Sequence, residues 1–181
     1  MTAIDAWLPR GAECLYDLSD LNAALDRLAN DINQTLPSDD ALLALPVMNG
    51  GLITAGHLLP RLQGAVETDY VHATRYGRAM QGQTRLRWLH RPETLLHGRH
   101  LLIIDDILDQ GLTLKALVED ALAQGARSVR TVVMVQKRLP QPPAIEADFV
   151  GLTVPDRFVF GFGMDWNGLW RNAPGIFAVP D

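Results

Sequence analysis

The sequence predicts an α/β fold, a mostly parallel sheet flanked by helices, with the last third of the chain forming a smaller C-terminal hood or flap. Three observations predict it. Apolar runs without polar alternation, such as LLII at 101–104, are the mark of strands buried on both faces. These runs alternate with helical segments, the order that places helices on both faces of a parallel sheet. After Pro140, Pro142 and Pro143 that order stops, and DFVGLTVPDRFVFGFGMDWNGLWRNAPGIFAV is rich in aromatics and glycine instead. In such a sheet, function gathers at the carboxyl ends of the strands.

In chain order, SDLNAALDRLANDINQTL reads as an amphipathic helix, with Ser19 as its cap and Leu21, Leu25, Leu28, Ile32 and Leu36 at helical spacing, ended by Pro37. ALLALPV is a short strand, Gly50-Gly51 a turn, and LITAGHLLPRL a second helix. VETDYVHATRY and QTRLRWL read as two strands of a long hairpin, its tip between Gly77 and Gly82. LLII is the next strand. A helix then runs from Thr113 to a closing Gly125, and SVRTVVMVQ is a further strand. The whole, 1–181, is expected to be one domain, with its core at about 20–138 and the flap at about 139–181.

With 181 residues, 48% hydrophobic and 20% charged, the chain has material for an ample core. A formal charge of -5 argues against nucleic acid as a partner, and a single cysteine, Cys14, argues against a disulfide framework. No apolar run is long enough to cross a bilayer and the start has no basic segment leading into an apolar core, so a cytoplasmic protein without membrane contact is expected. Asn33-Gln34-Thr35 matches a glycosylation pattern but reads more simply as a helix end. The five histidines form no metal-ligand spacing: His57, His72 and His90 stand apart, and His97 and His100 flank Gly98 in a turn.

The segment LLIIDDILDQGLTL, 101–114, combines two opposite chemistries. Backbone N–H groups around Gly111, the Thr113 hydroxyl and a helix N-terminus make a cradle for a phosphate dianion, and glycine permits the close approach. Asp105 and Asp106 just upstream would repel a bare phosphate, but suit sugar hydroxyls or a hard cation such as magnesium. A phosphorylated sugar meets both demands. The plainer reading, in which the two aspartates only end a strand and cap a turn, would hold for an isolated pair. Neither the P-loop pattern nor a dinucleotide fingerprint is present.

The same segment resembles the phosphoribosyl pyrophosphate motif of type I phosphoribosyltransferases, and the rest of the chain resembles their hypoxanthine-guanine branch. The resemblance implies that Asp105, Asp106, Asp109, Gln110, Gly111, Leu112 and Thr113 hold the ribose 5-phosphate, and that Asp109, near purine N7, is the catalytic residue. PVMNGG stands where that family has its pyrophosphate loop, formed here by Asn49, Gly50 and Gly51 with Arg171 as a further contact. Asn49 replaces the usual lysine, which leaves backbone N–H groups as the donors, and the resemblance implies a cis peptide bond between Met48 and Asn49. HATRYGRAMQGQTRLRW resembles the family's flexible lid, with Arg75-Tyr76 where Ser-Tyr is usual. Lys137, just past a strand end, takes the place of the base-recognition lysine. In PDRFVFGFGMDWN, Phe158 would stack on the purine, Val159 would use its backbone, and Asp165 would lie near the base and a second magnesium. Alternation along Phe158, Phe160 and Phe162 requires some of the three to be core.

What the resemblance implies is purine salvage: transfer of a phosphoribosyl group to hypoxanthine or guanine, with Mg2+ held directly or through water by Asp105, Asp106 and Asp165, in a homodimer or homotetramer. A xanthine-preferring transferase, a nucleotide-sensing RNA-binding regulator on the same fold, and an inactive descendant are the alternatives. The acidic charge speaks against the regulator, and the intact acidic motif against loss of activity.

Overall fold

The computed structural model describes residues 8–35, 41–75 and 86–179. Its elements in order are β1 (Glu13–Asp17), α1 (Leu18–Thr35), β2 (Leu42–Pro46), α2 (Gly51–Leu58) with a 3-10 turn (Leu59–Arg61), β3 (Val66–Thr68), β4 (His72–Arg75), β5 (Leu86–His90), β6 (His100–Leu108), α3 (Leu112–Ala123), β7 (Ser128–Arg138), β8 (Phe149–Pro155), β9 (Val159–Phe160) and β10 (Gly175–Ala178). Five strands form one sheet in the order β3-β2-β6-β7-β8, parallel at every step. The expected parallel α/β architecture is therefore present.

The apolar runs divide between the two faces as strand geometry requires, because neighbouring side chains point to opposite sides. Leu102, Ile104, Val132 and Met134 pack with Leu21, Leu25, Leu28 and Ile32 of α1, while Leu101, Ile103 and Val133 pack with Leu114, Leu117 and Ala121 of α3. One period-2 run thus serves two helical layers. The hood is a small antiparallel sheet, β1-β10-β9. Phe160, Ala173 and Phe177 make its own core, and Tyr16 donates its hydroxyl proton to the Thr153 carbonyl at 2.8 Å, tying it to the large sheet.

Several expectations differ from the structure. The cap of α1 is Asp17: its Oδ1 accepts the N–H groups of Ser19 and Asp20 at 2.8 and 3.0 Å, and Asp20 Oδ2 accepts that of Asp17 at 3.1 Å. This reciprocal pair leaves Ser19 no capping role. VETDYVHATRY is two strands, with β3 at the edge of the large sheet and β4 paired with β5. The break lies at Asp69, whose carboxylate accepts the Tyr70 N–H at 2.7 Å and the Thr94 N–H at 2.9 Å and turns the chain out of the sheet. Helix α3 begins at Leu112, one residue earlier than expected, and Lys137 lies within β7 rather than beyond it. The sheets also cross the expected boundary near 138, since β8 extends the large sheet while β1, from before α1, joins the hood. Leu36, Pro37, Tyr76 and the expected tip at 77–82 lie outside the described residues.

Candidate active site

Strand order reverses at one place in the large sheet. From β2 the chain proceeds to β3 on one side, and from β6 to β7 and β8 on the other. The crevice beyond the carboxyl ends of β2 and β6 is thus the switch point, where open α/β sheets bind ligands. Both strands turn directly into helices there. Residues 47–50 lead into α2 through a cis peptide bond between Met48 and Asn49, and 109–111 lead into α3 through Gly111 at φ 73°. Neither helix carries a side-chain cap. The Gly51 and Leu52 N–H groups of α2 donate to the Val47 and Asn49 carbonyls at 2.8 and 3.4 Å, so of the two it is the α3 N-terminus that is left to offer its first backbone N–H groups.

Each turn is fixed from behind. Ala144 N–H donates to the Gln110 carbonyl at 2.8 Å, and a Cβ on Gly111 would lie 3.2 Å from backbone atoms of Ile145. Val47 N–H donates to Ile104 O at 2.8 Å and Met48 N–H to Val71 O at 2.7 Å. A Cβ on Gly50 would overlap the Asp106 carboxylate, and one on Gly163 would overlap the Gly50 carbonyl. The β2 turn, the acidic end of β6 and the hood loop are therefore stacked in contact, with glycine at two of the three layers.

Asp105 and Asp106 lie within the last four residues of β6, and Asp106 is 8% exposed. Burial, then repulsion from Asp106, holds the Asp105 carboxyl well above the usual carboxylate range. Burial also raises Asp106, against the opposing effects of its hydrogen bonds with Asp105 and the Ile107 backbone and of the charge on the Arg171 guanidinium. One carboxyl of such a pair retains its proton more readily than the other. Arg171 Nη1 lies 3.8 Å from Asp106 Oδ2, while Nη2 bonds Asp165 Oδ1 and Nη1 the Gly163 carbonyl. Asp165 Oδ2 also accepts the Gly168 N–H at 2.8 Å. One arginine thereby joins the acidic strand end to the hood.

Beside this network is a cavity of about 160 Å³. Asp106, Asp109, Lys137, Phe158, Val159 and Asp165 line it, six residues singled out from three separate sequence segments, together with Ile107 and Met164, which sequence reasoning missed. Lys137 is the centre of charge: its Nζ is 3.2 Å from Asp109 Oδ2 and 3.9 Å from Asp156 Oδ1. Phe158 is 57% exposed and lines the cavity whereas Phe160 and Phe162 are buried; residues two apart share a face within a strand, and the three differ because β9 covers only Val159–Phe160. Asn49, Gly50 and Gly51 form the β2 turn, and Gln110, Gly111, Leu112 and Thr113 the β6 turn, both outside the cavity wall. Arg75 ends β4, and its expected partner Tyr76 lies outside the described residues. Asp156 carried no sequence signal beyond its neighbours, since its pairing depends on the register of β7 with β8.

Among the described residues no three or more His, Cys, Asp or Glu side chains are grouped to hold a metal ion unaided. A magnesium ion needs only one or two carboxylates when phosphate oxygens and waters complete its shell. The Asp105–Asp106 pair, buried at Asp106 and partly exposed at Asp105, fits that role. Burial raises the proton affinity of both carboxyls, and a hard divalent cation beside them would favour their charged form.

A family model described as phosphoribosyl transferase domain matches residues 12–167. The hypoxanthine-guanine phosphoribosyltransferase of Bacillus subtilis is 34% identical over 149 residues, spanning 82% of this chain and 80% of the relative. That of Aquifex aeolicus is 27% identical over 162 residues, spanning 90% and 91%. In fold, the crystal structure of a Staphylococcus aureus hypoxanthine phosphoribosyltransferase matches with a TM-score of 0.86 at 24% identity, over 92% of this chain and 90% of that one.

Proposed function

We propose, on the premise that the chain belongs to the phosphoribosyltransferase family, that it transfers the 5-phosphoribosyl group of phosphoribosyl pyrophosphate to N9 of hypoxanthine or guanine, releasing pyrophosphate. The observation that carries the proposal is the Asp109–Lys137 pair at 3.2 Å, in a cavity that adjoins the acidic end of β6 and the uncapped α3 turn. Groups for a base, a sugar and a phosphate are thus contiguous.

In this reading the 5-phosphate rests on the backbone N–H groups of residues 110–113 and the Thr113 hydroxyl. Asp105 and Asp106 accept from the ribose hydroxyls, and the loop at Asn49, Gly50 and Gly51 faces the pyrophosphate through its backbone. The bond from C1 of the ribose to pyrophosphate breaks as the bond to N9 forms, so positive charge develops on the sugar beside the Asp105–Asp106 carboxyls. Asp109 accepts the proton that the base gives up at N7. Phe158 stacks on the base, and Val159 meets its edge through the backbone. Lys137 donates to the 6-oxo group, and because an ammonium only donates, adenine with its 6-amino group is refused. Mg2+, held by Asp105, Asp106 or Asp165 directly or through water, supplies charge to the leaving group when bound. Arg171 orients Asp106 and Asp165, and Arg75 with Tyr76 belongs to the lid. The protein acts in purine salvage, in the cytoplasm, as a homodimer or homotetramer. No described helix is long and apolar enough to cross a membrane.

The test is to supply phosphoribosyl pyrophosphate and Mg2+ with hypoxanthine, guanine, xanthine or adenine in separate reactions. IMP and GMP are the expected products. Absence of nucleotide from all four bases would refute the proposal, and xanthine as the preferred base would move it to the xanthine branch.

A further inference from the structure

The geometry points to Asp156 as a positioning residue for base recognition, acting through Lys137 and resting on the reading of the cavity as an oxopurine site. Lys137 belongs to β7, the strand between β6 and β8. Asp109 follows the end of β6, and Asp156 follows the end of β8, where Lys137 pairs with Val154 and Arg138 with Pro155. Carboxylates therefore reach the ammonium from the strands on either flank, Asp109 at 3.2 Å and Asp156 at 3.9 Å. The Lys137 side chain is only 14% exposed, so its charge is held by few partners besides these two.

The arrangement addresses a conflict within the proposed reaction. Asp109 has to meet a proton of the base, and Lys137 has to meet the oxo group, yet the two attract each other directly. The ammonium rests against Asp109 at 3.2 Å, so what it needs is a counterweight that makes it easier to draw off Asp109 toward the base. Asp156 supplies that counterweight from the opposite side. At 3.9 Å it is beyond direct hydrogen-bond range, and it acts through its charge or through one bridging water. Its side chain is 53% exposed, so the effect is modest and screened by salt.

The test is Asp156→Asn, assayed at saturating phosphoribosyl pyrophosphate. The expected result is a rise in KM for hypoxanthine and guanine of roughly two- to fivefold, the size of a half-exposed ion pair, with kcat changed by less than about twofold. Asp156→Glu should retain the wild-type KM. Raising the salt concentration should raise the wild-type KM toward that of Asp156→Asn and leave the variant little changed. Lys137→Ala, run in parallel, separates the two levels of the argument. If it raises KM and Asp156→Asn then adds nothing in its background, the positioning role stands. If Lys137→Ala raises KM but Asp156→Asn alone does not, the inference about Asp156 falls and the site reading survives. If Lys137→Ala leaves KM unchanged, the base-site reading falls and takes this inference with it. Should Asp156→Asn fold poorly, the wild-type salt titration decides, and a KM that does not respond to salt overturns the inference.

Discussion

Gly50→Ala is a substitution for which two physical arguments predict opposite signs. Gly50 has φ -61° and ψ -51°, a conformation any residue adopts, so on backbone entropy alone alanine would stabilise the protein by about 0.4–1 kcal/mol. The contact argument points the other way. A Cβ at this position would lie 2.8 Å from Asp106 Oδ1 and closer still to Cγ and Oδ2. The aspartate has little room to withdraw, because Asp106 is 8% exposed and its Cβ lies 3.2 Å from the position a Gly163 Cβ would take. Overpacking of this kind costs about 1–3 kcal/mol. For a chain of this size that is a fall in Tm of roughly 2–12 °C. Thermal unfolding followed by circular dichroism reads it directly. In an Asp106→Ala background the obstacle is gone, and Gly50→Ala should there be neutral or stabilising. A Tm for Gly50→Ala equal to or above wild type would refute the stacked geometry of the β2 turn against the end of β6.

Asp109→Asn should lower kcat about 10²- to 10⁴-fold with little change in the KM for phosphoribosyl pyrophosphate, since it removes a proton acceptor and spares the phosphate turn; undiminished turnover would take Asp109 out of the mechanism. Asp105→Asn should stabilise the protein in a pH-dependent way. Because the folded-state pKa is raised, the native chain binds more protons than the unfolded one above the ordinary carboxylate value of 3.8, and the stability that the protonated carboxyl contributes at acid pH is lost as pH rises through the folded value. Without added ligand or metal, the Tm advantage of Asp105→Asn over wild type should therefore be small near pH 4 and larger near pH 8, and the reverse trend would contradict burial as the cause. At the start of α1, Asp17→Ala should cost about 0.5–2 kcal/mol in urea unfolding while Ser19→Ala costs little; equal losses would return the cap to Ser19.

What could be read from the sequence was what neighbours along the chain determine. LLIIDDILDQGLTL announced a buried strand, an acidic end and an uncapped helix entrance because all three arise within fourteen consecutive residues. Lys137 and Phe158 were identifiable as candidates, but their meeting with Asp109 depends on strands lying side by side in parallel register, which no local pattern encodes. Asp17 and Ser19 are both good capping residues, and the choice between them rests on Asp20 reaching back to the Asp17 N–H. The split of VETDYVHATRY was hidden because Val66, Val71 and Ala73 are compatible with one strand, and the interruption comes from Asp69 bonding to Thr94, twenty-five residues away. Gly50 reads as an ordinary turn glycine, and Gly163 as one of several glycines in an aromatic-rich segment. Their role in letting three layers touch is visible only once those layers are assembled.

The two turns leave neighbouring strands of one sheet, the β2 turn directly after Pro46, which pairs with Ile104, and the β6 turn four residues further along, after Leu108. Adjacent strands lie about 4.8 Å apart, and that spacing cannot widen without breaking the ladder. The crevice therefore has a fixed jaw of constant gauge, made of backbone. The hood and the β4–β5 pair are hydrogen-bonded outside that ladder, so substitutions in them leave the separation of the two turns unchanged.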